Sequence, residues 1–232
     1  MKVSCLVSGG KDSIYALWCA FHQYEVVSII NFESDKLESL LFHIPNSKFV
    51  SLIAEMFSLP LISVKMKSDD LKEEIEQLTG AIRKSGTEAI ITGGIRSEFQ
   101  RYHFNRAALM ANVKCFNPLW RLSPELIIQD LINNHFEIIL VSVSSMGLDQ
   151  SFLGKKITHQ LTRKIRGISY GSDLAIIGEG GEYESFVLDA PFFPSRIVIQ
   201  ESQIHWNEFR EEGSLEITSA TLESKGKMRA SM

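Results

Sequence analysis

Ser8-Gly9-Gly10-Lys11-Asp12-Ser13 is the stretch whose reading decides the fold. It follows a short apolar run, Lys2 to Val7, and precedes a segment in which Ile14, Leu17, Trp18 and Phe21 recur at helical spacing. A strand, a glycine-rich turn and a helix in that order make a phosphate-binding geometry. Glycines let the backbone come close to an anion, successive N–H groups and the helix N-terminus attract it, and Lys11 with two serine hydroxyls adds charge and donors. Neither of the two common nucleotide loops is present. A Walker A loop needs glycine where Cys5 stands, and a dinucleotide fingerprint needs G-x-G-x-x-G.

Working outward, the first hundred residues alternate short apolar runs with helical periodicity. Lys2 to Val7, Val26 to Phe32, Leu61 to Met66 and Ala89 to Thr92 read as buried parallel strands. Between the third and fourth, Leu71, Ile75, Leu78 and Ile82 share one helix face, Glu73, Glu74 and Glu76 point elsewhere, and Ser68 to Asp70 offer capping side chains. The expected fold is α/β, a doubly wound, Rossmann-like parallel sheet whose ligands bind beyond the carboxyl ends of its strands. After Gly94 the grain changes, with helices expected from Glu98 to Ala111 and from Pro124 to Asn134. Phe136 to Ser144 reads as a strand, and Phe186 to Leu188, Ile197 to Gln200 and Leu215 to Leu222 as strands of a more antiparallel end. The expected division is residues 1–96 for nucleotide binding, a smaller α+β unit at 97–222 for the acceptor substrate, and a disordered tail at 223–232. With no Gly/Ser/Pro linker between them, the two units are expected to pack closely.

Composition narrows the partners. The chain has 232 residues, 44% hydrophobic and 22% charged, which is ordinary for a globular protein able to bury a large core. Twenty-four basic against 28 acidic residues leave a net charge of -4, so there is no general electrostatic case for nucleic acid. Three scattered cysteines, Cys5, Cys19 and Cys115, form no C-x-x-C pair or zinc spacing and read as cytoplasmic usage. No apolar run reaches the roughly 18 residues of a membrane span, and no signal segment is visible. Oligomeric state is left open, a homo-oligomer included.

A second motif lies at Gly178 to Phe193, where Glu179, Glu182 and Glu184 surround Gly180-Gly181 just before a strand. Acids on a turn are usually solvated. Here Glu182 and Glu184 share a face once the strand begins, and Tyr183 and Phe186 place aromatic surface beside them, a combination suited to a cation such as a quaternary ammonium.

The first motif resembles the PP-loop of the ATP pyrophosphatase superfamily. That resemblance implies ATP as cosubstrate: the loop holds the β- and γ-phosphates, a substrate oxygen attacks the α-phosphate, pyrophosphate leaves, and a nitrogen or sulfur nucleophile captures the adenylated substrate. It also implies that Ser8, Gly10, Lys11 and Ser13 bind pyrophosphate beside Gly9, and that Asp12 orients Mg²⁺. The second motif resembles the E-G-G-E-Y-E signature of the diphthine–ammonia ligase family. Phe42-His43-Ile44-Pro45-Asn46, Ser97-Glu98-Phe99-Gln100-Arg101, Pro118-Leu119-Trp120, Gly147-Leu148-Asp149 and Leu153-Gly154 match further elements of that family in order and spacing. Ser185 stands where the family usually carries threonine and keeps a hydroxyl. The resemblance implies amidation of diphthine on translation elongation factor 2 by ammonia, with diphthamide, AMP and pyrophosphate as products. A PP-loop tRNA-modifying enzyme and a non-catalytic ATP-sensing module are the alternatives.

Lys11, Asp12, Glu179 and Glu182 are the catalytic candidates, the two glutamates as binders of the substrate cation, as a metal site or as a base toward ammonium. Gln100, Arg101, Glu179, Gly180, Gly181, Glu182, Tyr183 and Glu184 are the acceptor-binding candidates. His43 is a nucleotide or substrate contact or else a packed or exposed histidine, and Gln100 and Arg101, at the start of a helix, face the cleft or the seam between the units, with a structural salt bridge as the alternative. Trp120 is expected in the core and Asp149 as a cap. No cysteine carries a glutaminase motif, so free ammonia is the expected nitrogen donor.

Overall fold

The computed structural model describes residues 1–34, 46–66, 70–168, 177–178 and 181–226. Five parallel strands, β1 (Lys2–Leu6), β2 (Glu25–Ser34), β3 (Leu61–Met66), β4 (Ala89–Ile91) and β5 (Lys114–Phe116), pair in the order β3-β2-β1-β4-β5. Cys5 of β1 lies between Ile29 and Ile91, so the chain builds outward on one side of β1 and then on the other. Strand order therefore reverses between β1 and β4. In such sheets the crevice beyond the carboxyl ends opens at that reversal, where the Ser8–Ser13 loop sits.

Alternate residues of each strand feed opposite faces, as Ile29 and Ile30 or Ile90 and Ile91 do. One face takes α1 (Lys11–Gln23) through Ile14 and Leu17. The other takes α3 (Leu71–Ser85) and α4 (Glu98–Met110) through Ile75, Leu78, Ile82, Phe104 and Ala107. The doubly wound expectation holds. Asp70 caps α3 by accepting from the Lys72 N–H at 2.8 Å. Glu74 departs from the helical-face reading: it is fully buried, turned in within electrostatic reach of His103 on α4. The intervening α2 (Val50–Met56), carried by no strong periodicity, adds Val50, Ile53 and Ala54 to the core on the α1 face.

The boundary expected near residue 96 falls inside this layer. Ala89 to Ile91 pair with Lys114 to Phe116, so α4 and β5 belong to the parallel sheet and the layer continues to Phe116. A three-residue strand is too short to show a period, whereas the glycines after β4 give a visible break.

The second unit comprises α5 (Pro124–Asn133), β6 (Glu137–Val143), α6 (His159–Ile168), β7 (Tyr183–Asp189), β8 (Ser195–Asn207) and β9 (Glu212–Ser224). Its four antiparallel strands run in the order β7-β6-β9-β8, which leaves β7 at one edge. The α1-side core continues without a break into this unit through Leu131, Ile138, Leu140, Phe152, Phe186 and Ile197. Close packing of the two units is what the missing linker implied.

Three local expectations change. β8 and β9 are each 13 residues long, beyond their apolar runs; the added residues of β8, Glu201 to Asn207, are nearly all exposed and show no alternation, and β9 gains only a few half-buried or exposed residues at each end. β9 runs to Ser224 and Lys225 Nζ donates to Ala190 O at 2.7 Å, so the tail is ordered through residue 226, while 227–232 lie outside the described residues. Trp120 is half-buried, with the guanidinium groups of Arg101 and Arg121 at 4.8 and 5.8 Å from its ring. Asp149 does cap, accepting from the Ser151 N–H at 2.8 Å. Among the described residues no helix is long and apolar enough to cross a membrane.

Candidate active site

The loop after β1 turns at Gly9, whose φ of +86° is left-handed, and a Cβ there would lie 2.5 Å from the Phe186 ring. Only glycine satisfies both conditions. Gly10 is the N-cap of α1 and offers no side chain to the helix amides. Hydroxyls answer these amides instead: the Gly10 N–H donates to Ser8 Oγ at 3.4 Å, the Ser8 N–H to Ser13 Oγ at 3.2 Å, and the Lys11 N–H to Ser185 Oγ at 3.2 Å. Gly93, after β4, closes the other side, since a Cβ on it would lie 2.7 Å from the Asp12 carbonyl carbon.

Ser185 belongs to β7, the edge strand of the second sheet. An edge strand has unpaired backbone donors, and here the loop takes one: the Val187 N–H donates to Gly9 O at 2.9 Å. The same strand lays Tyr183 against Lys11, whose ammonium stands 5.3 Å from the ring centroid. The phosphate-type loop and β7, the strand that follows the acidic glycine motif about 170 residues on in sequence, thus meet side by side.

Lys11 is 4% exposed and its ammonium is 2.9 Å from Asp12 Oδ2. Burial by itself lowers the pKa of a lysine, but the carboxylates of Asp12 and, further off, Glu184 outweigh it and push Lys11 above its ordinary value. The lysine is therefore a fixed positive charge. Burial raises the Asp12 carboxyl, with Lys11 pulling the other way. Asp12 Oδ1 is enclosed and has no hydrogen-bond partner among the described residues. Burial also raises the Tyr183 phenol, which stays neutral beside the lysine.

Ser8, Gly9, Gly10, Lys11, Asp12 and Ser13 are thus assembled as one cradle, with Tyr183 and Glu184 against it. Glu182 is half-buried at the entry to β7, where its carbonyl accepts from the Ser144 N–H at 3.0 Å and Gly181 accepts from the Ser144 hydroxyl. Gln100 and Arg101 lie in the first turn of α4. The Gln100 N–H meets the Ser97 hydroxyl at 3.2 Å, and Arg101 pairs with Glu98 at 2.9 Å and covers Trp120. Arg101 thus makes an exposed ion pair within its own helix turn. His43, Glu179 and Gly180 lie outside the described residues. Ser185, Phe186 and Gly93 were absent from the sequence-based site. Ser185 carried a signal as the hydroxyl closing the second motif, and Gly93 as half of a Gly-Gly pair after a strand.

Two family models match the chain: the diphthamide synthase N-terminal domain over residues 1–115 and the diphthamide synthase C-terminal domain over residues 123–222. A protein of Danio rerio named diphthine–ammonia ligase is 30% identical, with 99% of both chains covered. One of Bos taurus with the same name is 29% identical over 88% of this chain and 85% of its own. Among solved structures, a predicted subunit of tRNA methyltransferase from Methanocaldococcus jannaschii aligns at a TM-score of 0.42 and 13% identity, covering 82% of this chain and 98% of that one. Matched in both halves by the models and end to end by a relative, the chain belongs to the diphthamide synthase family, whose named members are diphthine–ammonia ligases.

Proposed function

We propose that this protein is an ATP-dependent ligase that amidates the diphthine carboxylate of translation elongation factor 2 with ammonia. The observation that carries the proposal is the docking of β7 on the Ser8–Ser13 loop. That contact, in a chain of this family, supports reading the loop as an anion cradle and the carboxylates at the start of β7 as its acceptor side. A module that only sensed ATP would have no use for acids beside a phosphate loop.

The chemistry follows from the chain's own groups. Lys11, a buried ammonium, neutralises the phosphate charge, and the loop amides, in a turn shaped by the hydroxyls of Ser8 and Ser13, orient the β- and γ-phosphates. An oxygen of the diphthine carboxylate attacks the α-phosphorus, the bond to the bridging oxygen breaks, and pyrophosphate leaves with that electron pair. Ammonia then attacks the acyl carbon, AMP departs, and one proton is lost as the amide forms. In this reading Glu182 and Glu184 hold the quaternary ammonium of diphthine beside the loop, and Glu182 takes the proton. Glu179 and Gly180 are assigned to the same acceptor side, and His43 to the nucleotide, on the resemblance of their motifs alone. Asp12 Oδ1, enclosed and unpartnered among the described residues, is the atom that fits Mg²⁺, whose contribution when bound is further neutralisation of phosphate charge.

The test is release of AMP and pyrophosphate from ATP and ammonium, with and without diphthine-bearing elongation factor 2, following the factor's mass. Release that requires the factor, with a mass change of about -1 Da for carboxylate to amide, is the expected result, since the ammonia route ends in a single O-for-NH exchange. ATP binding with neither product would sink the ligase reading.

A further inference from the structure

Of the three hydroxyls that answer amides of the phosphate loop, those of Ser8 and Ser13 come from the loop itself and use their protons there. The Ser8 hydroxyl donates to Ser13 Oγ at 3.2 Å, and the Ser13 hydroxyl donates to Gly10 O at 2.9 Å. Ser185 is different. It comes from β7, and among the described residues its one side-chain hydrogen bond is the one it accepts from the Lys11 N–H at 3.2 Å. Its proton is left for an acceptor that arrives at the loop.

The position of this hydroxyl is closely fixed. Ser185 is 7% exposed, its carbonyl oxygen lies 3.4 Å from where a Gly10 Cβ would be, and two residues on the Val187 N–H holds Gly9 O at 2.9 Å. The Ser185 oxygen therefore sits on the first amide of α1, a donor that an anion at a helix N-terminus takes.

We infer that Ser185 is a ligand of the terminal phosphates of the nucleotide, supplied to the loop by the second sheet. When the phosphate chain takes the Lys11 N–H, the Ser185 hydroxyl turns and donates its proton to a phosphate oxygen. One hydrogen bond within the protein is exchanged for two to phosphate, and no covalent bond changes. The assignment rests on the reading of the loop as the ATP site and extends it. The phosphate site is completed by the strand that carries Glu184 and directly follows Glu182, so phosphate binding and placement of the acceptor carboxylates depend on one element.

Calorimetric titration of the full chain with ATP, inorganic pyrophosphate and AMP separates the outcomes. Ser185→Ala is expected to weaken ATP and pyrophosphate about tenfold or more, as loss of a hydrogen bond to a charged group does. AMP binding is expected to stay unchanged and Ser185→Thr to bind like wild type. Should the alanine variant fail to fold, Ser185→Cys fills the same space with a poor donor and is expected to show the same split between pyrophosphate and AMP. Unchanged pyrophosphate binding in these variants, or an equal loss for AMP, overturns the assignment. Wild-type protein that binds neither ATP nor pyrophosphate sinks the ATP reading itself, before any variant is compared.

Discussion

The Val187 N–H donates to the Gly9 carbonyl at 2.9 Å, so an edge strand of the antiparallel sheet is hydrogen-bonded to the turn that opens the first helix of the parallel one. The turn has room for this strand only because Gly9 has no side chain. Gly9→Ala would meet the Phe186 ring at 2.5 Å and would hold an alanine at a φ of +86°. The expected cost is about 2–4 kcal/mol, combining overpacking with left-handed strain. Gly9→Ala with Phe186→Leu should recover only the steric part. A melting temperature equal to wild type in the single variant would contradict the close approach.

Lys11 is a buried ion-pair partner, not the exposed loop lysine its position in a turn suggests. Lys11→Ala should therefore abolish ATP-dependent AMP release and also destabilise the fold by about 2–3 kcal/mol, because Asp12 loses its counter-charge in a partly enclosed position. Lys11→Ala with Asp12→Ala should be more stable than Lys11→Ala alone. Chemical denaturation of the two variants checks the coupling, and additive losses would deny it.

Glu182 and Glu184 are proposed on the acceptor side. Glu182→Gln and Glu184→Gln are expected to raise KM for the diphthine-bearing factor about tenfold and to leave ATP affinity within about twofold, as loss of one cation contact does. A collapse of ATP binding in either variant would move these carboxylates to the nucleotide.

Asn46 ties the first unit to β9. Its side-chain amide donates to Leu215 O at 3.0 Å and accepts from the Ile217 N–H at 2.7 Å, while its own φ is +69°. Asn46→Ala strands two buried backbone groups and places alanine in the left-handed region, for an expected loss of about 3 kcal/mol. Asn46→Gly should restore the backbone share only. An Asn46→Gly variant as stable as wild type would show that the hydrogen bonds contribute nothing.

All three thiols are pushed up by burial, Cys115 to about 12 and Cys5 and Cys19 in the same direction. Thiolate is the reactive form, so at pH 8 these cysteines should alkylate far more slowly than free cysteine, with rates rising toward higher pH. Ammonium-dependent activity should survive iodoacetamide treatment at pH 8. Rapid inactivation under those conditions would point to a catalytic thiol and a different nitrogen donor.

Much of this was legible in the chain. The strand–loop–helix at Lys2 to Phe21, the α3 stripe of Leu71, Ile75, Leu78 and Ile82, and the Asp149 cap are local. Each depends on neighbours within a turn or two, and periodicity or capping chemistry records them directly. β5 and the outer half of β8 were not legible, the first for shortness and the second for lack of a buried face.

The sequence by itself determined the phosphate loop, the doubly wound class and, through motifs in fixed order, the family. It could not place Ser185 on the Lys11 amide, bury Lys11, press Gly93 against Asp12, or turn Glu74 inward. Gly93 and Glu74 depend on how β4 and α4 pack within the first layer, and Ser185 and Lys11 on which strand of the second sheet is left at its edge and where the shared core holds that edge. Such packing is long-range, settled by contacts between residues about 170 positions apart and not by the spacing of near neighbours.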